Sequence, residues 1–257
     1  MTRDLLIVDK VRKSFGGLIA VGGDAGLSFS VPEGTFLGLI GPNGAGKSTT
    51  FNLISGVLKP TSGAVLLDGR DLSKARASDI ASYGLGRTFQ TPRAFPSLTV
   101  LENVMVGADN QGETLFSVLR GGWRSRETAL RDKAGEVLER VGLSDRIDDV
   151  VANLSGGELR MLEVARQLVR DPRILLLDEP TAGVDPSLQA KLSRILVDLH
   201  SEGRTLVVVE HNLHFLLQIA DSIVVLQNGQ LLSRGTPSEI KSDEKVIAAY
   251  LGADHAA

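Results

Sequence analysis

Short runs of consecutive apolar residues recur along the chain and alternate with segments of helical periodicity. The runs of strand length cover residues 5–11, 35–40, 64–67, 174–177, 205–209 and 223–226. Several of them are apolar at every position, which is typical of strands in a parallel sheet with both faces covered. The pattern therefore predicts an α/β fold built around such a sheet.

Two long helices are predicted from apolar spacing and from their end signals. In residues 128–141, four apolar side chains fall on one helical face: Ala134, Val137, Leu138 and Val141. A second helix is predicted from Pro186 to about His200, because Asp185 suits the N-cap and proline suits the first helical position.

The middle of the chain differs from its two ends. Residues 107–131 are rich in glycine, arginine and polar side chains. We interpret residues 1–257 as one domain, with a core over about 1–89 and 166–235 and a mainly helical insertion over about 90–165. Asn228 and Gly229 predict a tight hairpin, and Thr236 and Glu239 have the spacing of a capping box that begins a helical tail over 236–257.

One segment matches the phosphate-binding pattern GxxxxGK[ST] without a mismatch. It consists of Gly41, Pro42, Asn43, Gly44, Ala45, Gly46, Lys47 and Ser48. It lies between the apolar run 35–40 and a helical segment over 49–54, so bound phosphates would meet the N–H groups of a helix N-terminus. Lys47 can reach the β- and γ-phosphates, and the Ser48 hydroxyl can ligate Mg²⁺. The sequence therefore predicts a nucleotide site rather than an ordinary glycine-rich turn.

Charged side chains follow two of the apolar runs. Asp178 and Glu179 end the run 174–177, where ligands bind in open α/β folds. Asp178 is predicted to hold Mg²⁺, and Glu179 to orient or deprotonate the attacking water. His211 follows the run 205–209 and is predicted to contact the γ-phosphate. The plain alternatives are two solvated acids and a capping histidine.

The pentapeptide LSGGE, residues 154–158, begins an apolar-periodic helix. Ser155 and the glycine N–H groups form a second candidate anion site at a helix N-terminus. One phosphate loop does not need two such sites for one nucleotide. We therefore expect each LSGGE segment to close over ATP that a second subunit holds.

Composition excludes several other kinds of site. The 257 residues contain no cysteine, which excludes disulfides, thiolate catalysis and cysteine-based zinc sites. The net charge of −3 gives no overall argument for binding nucleic acid, and 42% hydrophobic residues support a large core. The N-terminus does not have the pattern of a signal peptide, and no apolar run approaches the roughly 18 to 20 residues that span a bilayer.

In their order and spacing, these motifs resemble the nucleotide-binding domain of ABC transporters. The resemblance covers nearly the whole chain and implies a P-loop NTPase core of the RecA-like type, an inserted helical subdomain and an N-terminal antiparallel β subdomain. It implies an ATPase in which Phe15 stacks on adenine and Thr49 joins the phosphate loop in binding ATP. The catalytic group would then comprise Lys47, Gln90, Glu179 and His211.

The same resemblance implies a metal site and a dimer. The Mg²⁺ ligands would be Ser48, Gln90 and Asp178. The residues that would contact ATP across the dimer are Ser155, Gly156, Gly157, Glu158 and Asp185. Two departures from the family pattern occur: Glu158 stands where glutamine is usual, and the segment 22–26 is about three residues longer than usual.

A finer resemblance, carried by residues 15–21, 86–90, 98–104 and 246–252, is to the ATPase subunits of branched-chain amino acid importers. It implies two transmembrane permease subunits, a second homologous ATPase or a second copy, and a periplasmic or extracytoplasmic substrate-binding protein. The chain would then lie at the cytoplasmic face of the membrane, held by the permeases, without nucleic acid. Importers of urea or short amides and non-transport ABC ATPases are the alternatives. A binding module that does not hydrolyse ATP is disfavoured because Glu179 and His211 are both present.

Overall fold

The structure is a computed structural model that describes residues 3–88, 93–108 and 123–251. Its strands are Asp4–Phe15 (β1), Leu18–Val21 (β2), Leu27–Pro32 (β3), Phe36–Ile40 (β4), Ser62–Leu67 (β5), Arg70–Asp71 (β6), Leu85–Arg87 (β7), Ile174–Asp178 (β8), Thr205–Val209 (β9), Ser222–Gln227 (β10) and Gln230–Gly235 (β11). Its helices are Lys47–Ile54 (α1), Ala77–Ser82 (α2), Val100–Gly107 (α3), Trp123–Val141 (α4), Gly156–Leu168 (α5), Pro186–Ser201 (α6), Leu213–Ile219 (α7), Pro237–Ser242 (α8) and Glu244–Leu251 (α9).

By packing, the chain divides into two compact units. The core unit consists of Met1–Arg87, Arg173–Ala182 and Leu196–Ala257, and the helical unit consists of Thr88–Pro172 and Gly183–Ile195. These units describe packing alone, and the domain boundaries at about 90, 165 and 235 stay predictions.

The core unit contains the parallel sheet that the apolar runs predict. Its six strands lie in the order β11-β10-β4-β9-β8-β7, parallel from β10 to β7 and antiparallel at the β10–β11 edge. Every residue of β4, β8 and β9 is buried, as expected for strands covered on both faces. The C-terminal ends of β4, β8 and β9, three neighbouring strands, carry the phosphate loop, the acid pair and His211.

A second sheet of the core unit is antiparallel. Its strands run in the order β2-β1-β5-β6, and β3 also pairs with β1. The β10–β11 hairpin turns at Asn228 and Gly229, whose φ angles of 49° and 74° suit the predicted tight turn. The antiparallel sheet agrees with the fold that the family resemblance implies, and the hairpin confirms a local prediction from the sequence.

The helical unit is built on α3, α4 and α5. Their apolar faces supply buried residues that include Val104 on α3, Leu138 on α4 and Leu162 on α5. The predicted helix over 128–141 begins earlier, at Trp123. Apolar periodicity missed this start because residues 124–127 are Arg, Ser, Arg and Glu. Among the helices within residues 3–88, 93–108 and 123–251, none has the length and apolar character to cross a bilayer.

Candidate functional site

The phosphate loop connects the end of β4 to α1 through residues in unusual backbone conformations. Gly44 and Gly46 have φ angles of 77° and 89°, which glycine adopts without steric cost. A Cβ on Gly46 would lie 2.8 Å from the carbonyl oxygen of Ala20. Gly46 is also the N-cap of α1 and supplies no side-chain cap. The N–H groups at the start of α1 are therefore not covered by a capping side chain, as an anion site requires.

Lys47 folds back onto the loop that precedes it. Its side chain is 5% exposed, and Nζ donates to the carbonyl oxygens of Gly41 at 2.7 Å and Pro42 at 3.1 Å. Burial lowers the pKa of Lys47, and the charge of Glu179 opposes this shift. The helix begins at Lys47 rather than at Thr49, as the sequence suggested, because the last residues of the loop form its first turn.

A cavity of about 470 Å³ opens beside the loop in the core unit. Its lining residues are Leu18, Ile19, Ala20, Asn43, Gly44, Ala45, Gly46, Lys47, Ser48, Thr49, His211 and Asn228. Pattern reasoning did not place β2 or Asn228 at this site, because neither has a phosphate-binding motif. Phe15 is 47% exposed, with Lys13 Nζ 5.1 Å from its ring centroid, so it is not a core residue. It does not line this cavity, and its contact with adenine stays a prediction.

Glu179 and His211 are brought together at the ends of β8 and β9. The Nε2 atom of His211 lies 2.7 Å from Oε1 of Glu179, a hydrogen-bond distance for a nitrogen donor and a carboxylate. Glu179 is largely buried, whereas the His211 side chain is 48% exposed. Asp178 is also buried, at 8% exposure, as the last residue of β8. Because His211 is half exposed, water can reach this pair. The Glu179 carboxylate can therefore accept a proton from a water molecule beside it.

The backbone of Glu179 is itself unusual. Its φ angle is 46°, in the left-handed region that costs a non-glycine residue roughly 1–3 kcal/mol. Its main-chain N–H donates to the carbonyl oxygen of Val209 at 2.9 Å. Strain of this kind is concentrated at functional sites, where the surrounding structure holds it in place.

Of the predicted Mg²⁺ ligands Gln90 and Ser48, the structure describes only Ser48. Gln90 lies outside the described residues, so its predicted roles toward Mg²⁺ and water have no structural account here. Ser48 is exposed at the first turn of α1.

The LSGGE segment lies in the helical unit and caps its own helix. Ser155 is the N-cap of α5, and its hydroxyl oxygen accepts from the Glu158 N–H at 3.3 Å. In return, the Ser155 N–H and hydroxyl donate to Oε2 of Glu158, both at 2.8 Å. Arg146 Nε lies 3.3 Å from the other carboxylate oxygen. The carboxylate of Glu158 is therefore the anion at this helix N-terminus, a contact that the S-x-x-E spacing could have predicted.

Asp185 caps α6, as the sequence predicted. Its Oδ1 accepts from the Ser187 N–H at 2.9 Å, the Ser187 hydroxyl at 2.6 Å and the Leu188 N–H at 3.1 Å. The hydrogen bond from the Ser187 hydroxyl is the main reason that the pKa of Asp185 is lowered. Its predicted second role, contact with another subunit, stays a prediction.

We expect the stabilising effect of Glu158 to disappear in acid. Hydrogen bonds from Ser155, first its N–H and then its hydroxyl, lower the pKa of Glu158 from the usual 4.5. Because the pKa of Glu158 is lower in the folded than in the unfolded chain, its carboxylate stabilises the fold at any pH above the unfolded-state pKa. This stabilisation is lost as the pH falls through the folded-state pKa. Glu158→Gln should therefore have a lower melting temperature than the parental chain near neutral pH, and this difference should narrow in acid as the pH falls below the usual glutamate pKa of 4.5.

The matched control for that pH series is Glu136→Gln, which changes an exposed carboxyl on α4. Its melting temperature should track that of the parental chain at every pH. A gap for Glu158→Gln that stays constant into acid would show that the capping carboxylate is not the cause.

Comparison with known proteins identifies the family. Residues 25–182, more than half of the chain, match the family described as ABC transporter. The chain belongs to the ABC transporter family. Residues 230–256 of this cassette match a second family, described as branched-chain amino acid ATP-binding cassette transporter.

Relatives match this cassette along its whole length. The high-affinity branched-chain amino acid transport ATP-binding protein LivG of Salmonella typhimurium is 40% identical over 256 residues, which cover 98% of this chain and 99% of that protein. The probable branched-chain amino acid transport ATP-binding protein LivG of Archaeoglobus fulgidus is 36% identical over 249 residues, which cover 97% of this chain and 96% of that protein.

Solved structures show the same fold. A crystal structure of the ADP conformation of an ATP-binding cassette of an ABC transporter matches with a TM-score of 0.84 and 34% identity, over 98% of this chain and all of that one. The fold class and the family resemblance inferred from the sequence are confirmed. The cassette is therefore an ABC-type ATPase.

Proposed function

We propose that this chain is the ATP-hydrolysing subunit of an ABC importer of branched-chain amino acids. The observation that carries hydrolysis is the 2.7 Å contact between His211 and Glu179, in the same compact unit as the phosphate loop. The proposed substrate class is supported by full-length relatives named for branched-chain amino acid transport and by the match of residues 230–256.

ATP is the proposed substrate of the loop. Its phosphate oxygens would accept hydrogen bonds from the N–H groups of the glycine-rich loop and from the Lys47 ammonium. Its adenine would stack on Phe15. The other proposed ATP contacts are Gly41, Pro42, Asn43, Gly44, Ala45, Gly46, Ser48 and Thr49. Lys47 stays in place because the carbonyl oxygens of Gly41 and Pro42 hold its ammonium group.

The residues present also suit Mg²⁺. This ion prefers oxygen ligands and commonly uses one or two carboxylates together with substrate phosphates. The exposed hydroxyl of Ser48 and the buried carboxylate of Asp178 supply such oxygens, with Gln90 as a further proposed ligand. Bound Mg²⁺ would neutralise charge that develops on the transferred phosphoryl group.

Hydrolysis is assigned to groups of the core unit. Glu179 accepts a proton from the attacking water, and its left-handed backbone conformation fixes the direction of the carboxylate. His211 holds that carboxylate through Nε2 and, being half exposed, can also meet the γ-phosphate. Lys47 offsets negative charge at the same phosphate, and Gln90 is proposed to contact the water.

A second ATPase completes the proposed site. Ser155, Gly156, Gly157 and Glu158 at the start of α5, with Asp185, would contact ATP held by the other subunit. This step requires the Glu158 carboxylate to give up part of its capping contact, because it is the anion at that helix end. ATP would thus favour the closed dimer, and hydrolysis would release it, which is a two-state change driven by differential binding.

The proposed complex contains two transmembrane permease subunits, a second homologous ATPase or a second copy of this chain, and an extracytoplasmic substrate-binding protein. The chain would lie at the cytoplasmic face of the inner membrane and be held there by the permeases. Nucleic acid is not among the proposed partners.

Affinity purification of the tagged chain from detergent-solubilised native membranes tests this proposal. We expect polytopic permeases and a second ATPase to co-purify, and ATP turnover of the complex to rise when leucine and the binding protein are added. Turnover that responds to urea or a short amide instead would favour the alternative importer. Ribosomal, DNA-bound or wholly soluble partners would overturn transport and leave the ATPase chemistry intact.

A further inference from the structure

A buried carboxylate that the proposed chemistry does not use joins the loops that carry Glu179 and His211. Glu210 is 2% exposed and lies between β9 and His211. Its Oε1 accepts from the main-chain N–H of Thr181 at 2.8 Å and from the Thr181 hydroxyl at 2.7 Å. Its Oε2 accepts from the main-chain N–H of His211 at 3.2 Å. One side chain thus connects the segment after β8 to the segment after β9.

The connection lies next to the strained residue of the site. Thr181, itself 5% exposed, follows Glu179 by two residues, and Glu179 has the left-handed φ of 46°. Such a conformation persists only where neighbouring contacts determine it. The bond from Glu179 N–H to Val209 O holds one side of this turn, and the bonds from Thr181 to Glu210 hold the other.

The same residue also reaches the strand that leads into the phosphate loop. The main-chain N–H of Glu210 donates to the carbonyl oxygen of Leu39 on β4 at 3.3 Å. Glu210 therefore connects β4 with the segments that follow β8 and β9, three neighbouring strands of the sheet. All of these residues belong to the core unit.

We propose that Glu210 and Thr181 are positioning residues that set the distance and direction between Glu179 and His211 for ATP hydrolysis. This inference rests on the roles proposed above for Glu179 and His211. Neither positioning residue contacts ATP or water in this account; each acts through the loop it holds.

The chemistry of the contact explains why glutamate suits position 210. An ionised carboxylate has only acceptor oxygens, and all three groups that face it donate to it; two of them, the main-chain N–H groups of Thr181 and His211, can only donate. In Glu210→Gln, one end of the side chain becomes an amide NH₂. Whichever way the amide turns, its NH₂ group meets a main-chain N–H, that of either Thr181 or His211, so one loop must shift. The substitution therefore changes the position of one loop relative to the other without creating a cavity.

The test is steady-state ATP hydrolysis by the full-length chain with its co-purified subunits, with turnover expressed per bound nucleotide. Glu210→Gln should lower kcat on the order of 10- to 100-fold, the effect of a misplaced reacting group. The KM for ATP should stay at the parental value, because the phosphate loop is unchanged. Thr181→Val should lower kcat less, since the main-chain bond remains, and Thr181→Ser should restore the rate.

Thr205→Val is the matched structural control. Thr205 is 0% exposed in the same unit, and its hydroxyl oxygen accepts from the Gly34 N–H at 2.9 Å, away from Glu179. This variant can lose thermal stability but should keep the parental kcat per bound nucleotide. Loss of a buried hydrogen bond alone would therefore not reproduce the Glu210→Gln result.

The outcomes separate this inference from the proposed function. Parental turnover in Glu210→Gln overturns the inference, and parental turnover in Thr181→Val overturns the part that concerns Thr181. An equal fall of kcat in Thr205→Val would also overturn it, because the effect would then be general destabilisation. If Glu179→Gln hydrolyses ATP at the parental rate, the role proposed for Glu179 as the base fails instead, and the positioning role that depends on it falls as well.

Discussion

Glu179→Gln should bind ATP normally and hydrolyse it at a rate lower by roughly 100- to 10,000-fold, the usual contribution of a general base. The amide keeps the shape of the side chain and can still accept a hydrogen bond from His211 Nε2, which lies 2.7 Å from Oε1. It cannot take a proton from water. Since hydrolysis is what releases the proposed closed state, the variant should accumulate as an ATP-bound dimer.

Two measurements check this result: single-turnover ATP hydrolysis, and size-exclusion chromatography with and without ATP. The control is Glu136→Gln, which makes the same chemical change at an exposed position of α4. It should elute and turn over as the parental chain does. A Glu179→Gln variant that hydrolyses ATP at the parental rate would show that another group is the base.

Lys47→Ala should lose ATP binding or turnover, with turnover falling on the order of 100-fold or more, as when a charge-stabilising donor is removed. Two effects act in the same direction. The ammonium that offsets phosphate charge is absent, and the carbonyl oxygens of Gly41 and Pro42 lose the group that holds the loop in shape. Burial leaves the Lys47 ammonium poorly hydrated, which is why its pKa is lowered. In this poorly hydrated site its attraction to a phosphate is less weakened by water.

Equilibrium binding of a fluorescent ATP analogue and steady-state hydrolysis measure this loss. Lys59→Ala is a close control, because the Lys59 ammonium also donates to two carbonyl oxygens, those of Leu72 at 3.2 Å and Ala75 at 2.7 Å. The control removes the same kind of contact outside the phosphate loop and should bind ATP normally. Similar losses in both variants would assign the effect to lost lysine–carbonyl bonds rather than to phosphate binding.

Local features of the fold could be predicted because their partners are near in sequence. The Asn228–Gly229 turn, the capping box of Thr236 and Glu239, and the Asp185 cap each depend on residues within four positions of one another. Apolar runs likewise marked the buried strands, since burial on both faces leaves no polar positions. The early start of α4 was missed because a polar first turn has no apolar periodicity.

The motifs of the candidate site could be predicted from the sequence, but the distances and contacts between their residues could not. The sequence pointed to Glu179 and His211 separately, and the spacing of 32 residues between them says nothing about a 2.7 Å contact. The capping contact of Glu158 was also overlooked, although the spacing from Ser155 contains it. Leu18, Ile19 and Asn228 have no phosphate-binding motif, and only the structure shows that they line the cavity.

The sequence by itself determined the class of fold, the phosphate loop and the order of the motifs, because each depends on side-chain type and short-range spacing. Only the tertiary structure decided that Lys47 is held by its own loop. It also decided that Glu179 has a left-handed backbone conformation and pairs with His211. The link from Thr181 to His211 through Glu210 is likewise tertiary. The physical reason is the strand order β4-β9-β8, which brings together strand ends that are far apart along the chain. Contacts between such ends arise from sheet pairing, which no local pattern of residues records.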